Sequence, residues 1–152
     1  MKSQLTNRRN SVADLSLESA AGAFSFGRRR GSIILVLFHT ETCAACSVYL
    51  DKLSQENPEL AEWDAEIAVV APVAKGDAAV EHATVRVLYD PEQSVAKAAG
   101  IDTPGVVIVD QWSDITDIHA AGKDHEFPAV ADVIASVRYL ATQCPECEGE
   151  TL

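Results

Sequence analysis

The sequence predicts an α/β sandwich: a central mixed β-sheet flanked by helices. Three observations carry this. Ile33 to Phe38 is an unbroken apolar run that gives way to a helical pattern. A run this short, rich in β-branched residues, is a strand buried on both faces. Strand and helix signals then alternate as far as Gly100. After that, two strand-like segments follow one another before a last amphipathic helix, which makes the sheet mixed.

In chain order, residues 1–11 read as a flexible, solvated tail. Leu15 and Leu17, then Phe24 and Phe26, alternate with polar neighbours around Gly22, the pattern of a short N-terminal β-hairpin. Arg28 to Arg30 with Gly31 make a charged turn that faces water. Ile33 to Phe38 is the core strand. Tyr49, Leu50 and Leu53 stand at helical spacing, and Asn57-Pro58 stops that helix. Glu59 to Asp64 finishes a helical segment with Trp63 packed at its end. Ile67 to Val70 is a second apolar strand, and Lys75 to Ala83 a helical turn or two. Val85, Val87 and Tyr89 mark a third strand, closed by Asp90-Pro91. Glu92 to Ala99 reads as a helix, with Gly100 just past its end. Val106 to Val109 and the alternating edge strand Ile115 to His119 follow. Pro128 fits the first turn of the last helix, which runs to about Thr142. Val130, Val133, Ile134, Val137 and Leu140 give that helix one apolar face. Residues 12–142 thus make one domain, and residues 143–152 a C-terminal tail.

The chain has 152 residues, enough for one domain with a real core. Its net charge of −11 is uneven. The first 30 residues hold six Lys/Arg against two Asp/Glu, a balance of +4, and the remainder carries −15. An acidic body of this kind predicts no nucleic-acid partner. Met1 to Asn10 is polar, without the apolar segment of a secretory signal, and no apolar run reaches membrane-spanning length. The expected location is cytoplasmic, with no membrane partner. In that compartment the four cysteines, arranged as two C-x-x-C pairs, are catalytic or metal-binding rather than structural.

The first pair carries the chemistry. Cys43-Ala44-Ala45-Cys46 follows the polar turn His39 to Thr42 and opens the helix after the core strand. A helix N-terminus presents unpaired N–H groups and the positive end of the dipole, so a thiolate there is stabilised. Cys46 lies one helical turn on and is placed to close a disulfide. Strand, C-x-x-C, helix is therefore a redox signature with a mechanism. The alternatives are two small buried residues, or half of a metal site.

With these residues in place, the chain resembles the thioredoxin-fold superfamily, in its redoxin and alkyl hydroperoxide reductase/thiol-specific antioxidant (peroxiredoxin) branch. The resemblance spans residues 12–142 and rests on the hairpin and charged turn, on Cys43-Ala44-Ala45-Cys46, and on Thr103-Pro104 directly before Val106 to Asp110. It implies a thioredoxin-like three-layer sandwich and thiol–disulfide oxidoreductase activity, with an antioxidant role in view. Cys43 would be the attacking thiolate and Cys46 the resolving thiol. Pro104, as a cis-proline, would shape a substrate groove, where the Thr103 backbone would pair with an incoming peptide. The implied substrates are protein or small-molecule disulfides and thiols. The implied cofactor is none, the metal none, and the protein a monomer or weak homodimer. Thioredoxins carry a buried acid where this chain has Leu37, and Trp where it has Thr42. Proton transfer would fall to water, His39 or Glu41. Thr40 matches the peroxiredoxin threonine. Val36 replaces the peroxiredoxin proline, and Pro104 falls where peroxiredoxins carry arginine. Both differences favour dithiol–disulfide exchange over a peroxiredoxin-like peroxidase.

Cys144-Pro145-Glu146-Cys147 follows the last helix, among Glu146, Glu148 and Glu150. Nearby carboxylates disfavour a thiolate, so these sulfurs are expected to react less readily than Cys43. As an accessory redox pair they would relay electrons to or from Cys43 and Cys46. They could instead complete a four-cysteine zinc site, or stand as an inert tail pair.

Overall fold

The computed structural model describes residues 10–40, 42–76 and 85–142. Seven strands form one sheet: β1 (Ser16–Ser19), β2 (Gly22–Ser25), β3 (Ile33–Leu37), β4 (Glu66–Ala71), β5 (Arg86–Tyr89), β6 (Gly105–Val109) and β7 (Ile115–Ala120). Four helices flank it: α1 (Ala44–Ser54), α2 (Asn57–Glu62), α3 (Ser94–Ala99) and α4 (Val130–Ala141). The strand order is β2-β1-β5-β4-β3-β6-β7. β3, β4 and β5 run parallel; β1, β6 and β7 each run antiparallel to the neighbours they join. This is the mixed sheet with an N-terminal hairpin expected from the sequence.

Every residue of β3 is buried, because helices cover both faces of the sheet. Side chains alternate across a strand, and the two cores follow that alternation. Ile34, Val36 and Phe38 pack with Leu50 and Leu53 of α1, Leu60 of α2, and Val133, Ile134 and Val137 of α4. Ile33, Leu35 and Leu37 pack on the other face with Val95, Ala96 and Ala99 of α3 and with Phe24 and Phe26 of the hairpin.

Several local features differ from the sequence expectation. α1 ends at Ser54, and Pro58 lies in the first turn of α2 instead of outside a helix, since the missing N–H is not needed there. Pro128 precedes the cap residue Ala129, so it stands just before α4 and not in its first turn. Asn10 and Ser11, assigned to the tail, are held: Ile115 N–H donates to the Asn10 carbonyl at 2.7 Å, and Ser11 bridges Asp114. In the charged turn, Arg29 pairs with Glu66, and Arg29 and Arg86 both lie over the Phe24 ring. α3 is capped from a distance, its first amides donating to Asp90: Ser94 N–H at 2.9 Å and Val95 N–H at 3.0 Å. Most of the helical turn expected over 75–83 lies outside the described residues. Among the described residues, no helix is long and apolar enough to cross a membrane.

Candidate redox site

The direction of β3 decides where the cysteines stand. Its C-terminal end delivers the chain through exposed His39 and Thr40 to Cys43, the N-cap of α1. Cys43 N–H donates to the Thr40 carbonyl at 3.2 Å, and Ser47 N–H to the Cys43 carbonyl at 3.1 Å, which starts the helix. The cap is a sulfur: Cys46 N–H donates to Cys43 Sγ at 3.2 Å. Cys43 and Cys46 form a disulfide across a Cα–Cα distance of 5.3 Å. Cys43 is 9% exposed and Cys46 fully buried, so an incoming group meets Cys43 first. Ala44, Ala45 and Val48 are exposed beside it, a rim of small apolar surface.

β6 pairs Gly105 with Leu37, which sets Thr103-Pro104 at the same end of the sheet as the disulfide. The Thr103–Pro104 peptide is cis. Pro104 is buried and Thr103 half-buried. A side chain at Gly105 would meet the His119 carbonyl oxygen at 2.7 Å, so strands β6 and β7 approach closely only because that residue is glycine.

β7 runs antiparallel to β6, so the chain leaving Ala120 arrives back at the disulfide. There it turns at Gly122 and places His125, whose φ is +57°, against the pair. One ring nitrogen of His125 and both sulfurs lie within 4.8 Å of one another. His125 Nδ1 is 3.0 Å from the Lys123 carbonyl oxygen. That oxygen only accepts, so in the neutral imidazole the proton sits on Nδ1. The His39 ring lies 5.9 Å from that of His125, at 86°. Beneath, Phe127 stacks on Tyr49 at 4.6 Å. The Tyr49 hydroxyl is buried with no hydrogen-bond partner, and burial pushes its pKa up to about 12.

The structure thus brings Cys43, Cys46 and Pro104 to one end of the sheet and leaves His39 at the exposed margin. Glu41, Cys144 and Cys147 lie outside the described residues. His125 is the residue the motifs did not single out. A signal was available: a strand that starts at Pro104 and a second that returns must deliver the next loop to the cysteine end.

Away from these residues, a cleft of about 860 Å³ lies at the other end of β3, lined by Arg30, Trp63, Asp110, Trp112, Asp117 and Tyr139 among others. The C-terminal end of α4 forms part of its wall. Among the described residues, its lining holds no cysteine or histidine. Its size marks space, whereas the disulfide stands at the opposite end of β3.

No protein-family model matches the sequence, and no curated protein matches it. Solved structures do resemble it. Peroxiredoxin Q of Xanthomonas campestris superposes with a TM-score of 0.65 at 13% identity, over 86% of this chain and 94% of that one. An exposed lipoprotein thioredoxin of Streptococcus pneumoniae gives 0.62 at 15% identity, over 83% and 98%. A thioredoxin-like protein of Aeropyrum pernix gives 0.61 at 15% identity, over 90% and 94%. The chain has the thioredoxin fold, as the sequence resemblance implied.

Proposed function

We propose that the chain is a thiol–disulfide oxidoreductase that works through Cys43 and Cys46. The observation that carries this is the disulfide at the N-cap of α1, with the Cys43 sulfur accepting a helix amide and Cys43 the more exposed of the pair. The same amide and dipole that hold a neutral sulfur there favour a thiolate more strongly. In the reduced form, the Cys43 thiolate attacks a substrate disulfide. One S–S bond forms between Cys43 and the substrate, the substrate's own S–S bond breaks, and its second sulfur leaves as a thiolate that takes up a proton. The Cys46 thiolate then attacks Cys43 Sγ, forms the Cys43–Cys46 disulfide, and releases the remaining substrate thiolate. Two electrons have passed to the substrate. The reverse sequence oxidises a dithiol.

His125 stands beside both sulfurs and is better placed for the proton than His39, whose ring is exposed at the margin. The apolar rim of Ala44, Ala45 and Val48 suits a protein or small-molecule disulfide that docks on a surface instead of entering a pocket. Thr103 and Pro104 would form the groove beside it. A cytoplasmic location and an antioxidant role belong to this proposal, the antioxidant role resting on the resemblance to the peroxiredoxin branch.

The tail pair takes its place here as an accessory in exchange between molecules. α4 begins near the disulfide and ends at the cleft, a length of about 18 Å for its 12 residues. Cys144, two residues past Thr142, reaches back only about 7 Å, and Cys147 about 18 Å if fully stretched. Cys144 alone therefore falls short of the length of α4, whereas Cys147 fully stretched matches it, and a second molecule's disulfide is a further target.

The test is dithiothreitol-dependent reduction of insulin. The wild-type chain accelerates it. Cys43→Ser returns the rate to that of dithiothreitol alone, whereas Cys46→Ser accumulates a mixed disulfide at Cys43, identified by mass mapping. A wild-type rate equal to the uncatalysed one would overturn the proposal. Peroxide consumption by the same preparations separates this activity from that of a peroxidase.

A further inference from the structure

We propose that the reduced pair and His125 form a metal site for a zinc-class divalent cation, and that closing the disulfide expels the metal. This rests on the reading above only in taking Cys43 and Cys46 to alternate between dithiol and disulfide. Three ligand-bearing groups of the right chemistry converge: both sulfurs and one imidazole nitrogen lie within 4.8 Å of one another. Two thiolates and an imidazole are a ligand set that selects zinc-like metals over magnesium or calcium. Tetrahedral coordination at ordinary zinc–sulfur lengths sets two sulfurs about 3.8 Å apart. That separation fits inside the 4.8 Å triangle and needs only rotation of the two thiolate side chains once the S–S bond is gone.

The surroundings of the histidine support the assignment. A ligating imidazole generally donates its other N–H to a carbonyl or carboxylate, which sets the tautomer and the ring orientation. His125 Nδ1 already bonds the Lys123 carbonyl at 3.0 Å, leaving Nε2 as the donor. Both cysteines are buried, so a metal here is shielded on the protein side. The positive N-terminus of α1 favours the two thiolates that the metal requires. Two thiolates and a neutral imidazole balance the charge of a divalent ion. The fourth position faces the surface at Cys43 and is open to water or to an incoming thiolate.

The chemistry is balanced as follows. Metal-bound Cys43 and Cys46 thiolates give two electrons to an external organic disulfide. The Cys43–Cys46 bond forms, the external disulfide accepts two protons and leaves as two thiols, and the metal departs because its sulfur ligands have become a neutral disulfide. The metal therefore belongs to the dithiol form alone, and oxidation clears it. The site is distinct from a four-cysteine zinc site, since it uses His125 and neither Cys144 nor Cys147.

The experiment uses the full-length chain carrying Cys144→Ser and Cys147→Ser, so that only one cysteine pair remains. It is reduced, freed of reductant without oxygen, and titrated with cobalt(II) as a spectroscopic probe, then with zinc in competition. The expected result is one metal per chain, with a thiolate-to-cobalt charge-transfer band and the ligand-field absorption of a tetrahedral site. The disulfide form of the same chain, identical in sequence, should bind none. His125→Asn, a residue that tolerates the positive φ, should weaken binding at least about tenfold while keeping the thiolate band. Adding an organic disulfide to the cobalt form should release one metal per disulfide closed. No stoichiometric binding to the dithiol, equal binding by the disulfide form, or unchanged affinity in His125→Asn would each overturn the site. Because the readout is metal, these outcomes stand apart from insulin reduction: a chain that reduces insulin without binding cobalt keeps its activity and loses this site.

Discussion

The two ends of β3 differ in kind. At its C-terminal end stand the disulfide, His125 and the cis-proline. At its N-terminal end lies an open cleft of about 860 Å³ with two tryptophans, a tyrosine and several carboxylates and, among the described residues, no thiol or imidazole. The contrast teaches that volume need not mark the proposed exchange site. A nucleophile that attacks a partner's disulfide needs a helix N-terminus and a sulfur within the partner's reach, and a pocket would exclude a large partner. The same architecture produces both ends: parallel β3 and β5 place their helix-leading ends together, and α2 and α4 line the cleft at the other end.

The largest expected effect separates the ends by activity. Cys43→Ser should reduce insulin reduction to the background rate, while Trp112→Ala and Tyr139→Ala at the cleft should leave it near wild type. A cleft variant that loses exchange as completely as Cys43→Ser would break the distinction. The next comparison uses two glycines. A Cβ at Gly105 would lie 2.7 Å from the His119 carbonyl oxygen, and one at Gly31 2.7 Å from the Asp64 carbonyl carbon. Backbone atoms cannot swing aside, so each alanine should cost roughly 1–3 kcal/mol in chemical denaturation. Only Gly105→Ala, next to Pro104, should also slow exchange.

A smaller effect is confined to high pH. The phenol of Tyr49 ionises near 10 in the unfolded chain and at about 12 in the folded one. The folded form thus favours the neutral phenol. Its contribution is fully present below pH 10 and is lost as pH rises to about 12. Denaturation midpoints across that window should fall, and Tyr49→Phe should flatten the slope. The smallest effect is a null one. A chain ending at Thr142 should match the full-length protein in single-turnover exchange at low protein concentration, because α4 ends far from Cys43. Trapping a Cys43–Cys144 bond within one chain would contradict that geometry.

The sequence alone determined the local pieces. Period-two and helical apolar spacing marked the strands and helices, because burial on a face imposes those periods wherever the face lies. The strand-to-helix step at Phe38 to Cys43 identified the redox motif, since a helix N-terminus is a local property. Thr103-Pro104 before a strand marked the second part of the site. Tertiary structure decided what sat beside what. His125 is 79 residues from Cys46. It reaches the sulfurs only because β6 and β7 run out and back beside β3, and spacing along the chain carries no record of that. The capping of α3 by Asp90, the docking of Asn10 and Ser11 on the start of β7, and the exit of α4 at the cleft have the same origin. Periodicity reports how a segment faces its neighbours, whereas the identity of those neighbours follows from strand order and direction, which many residues fix together.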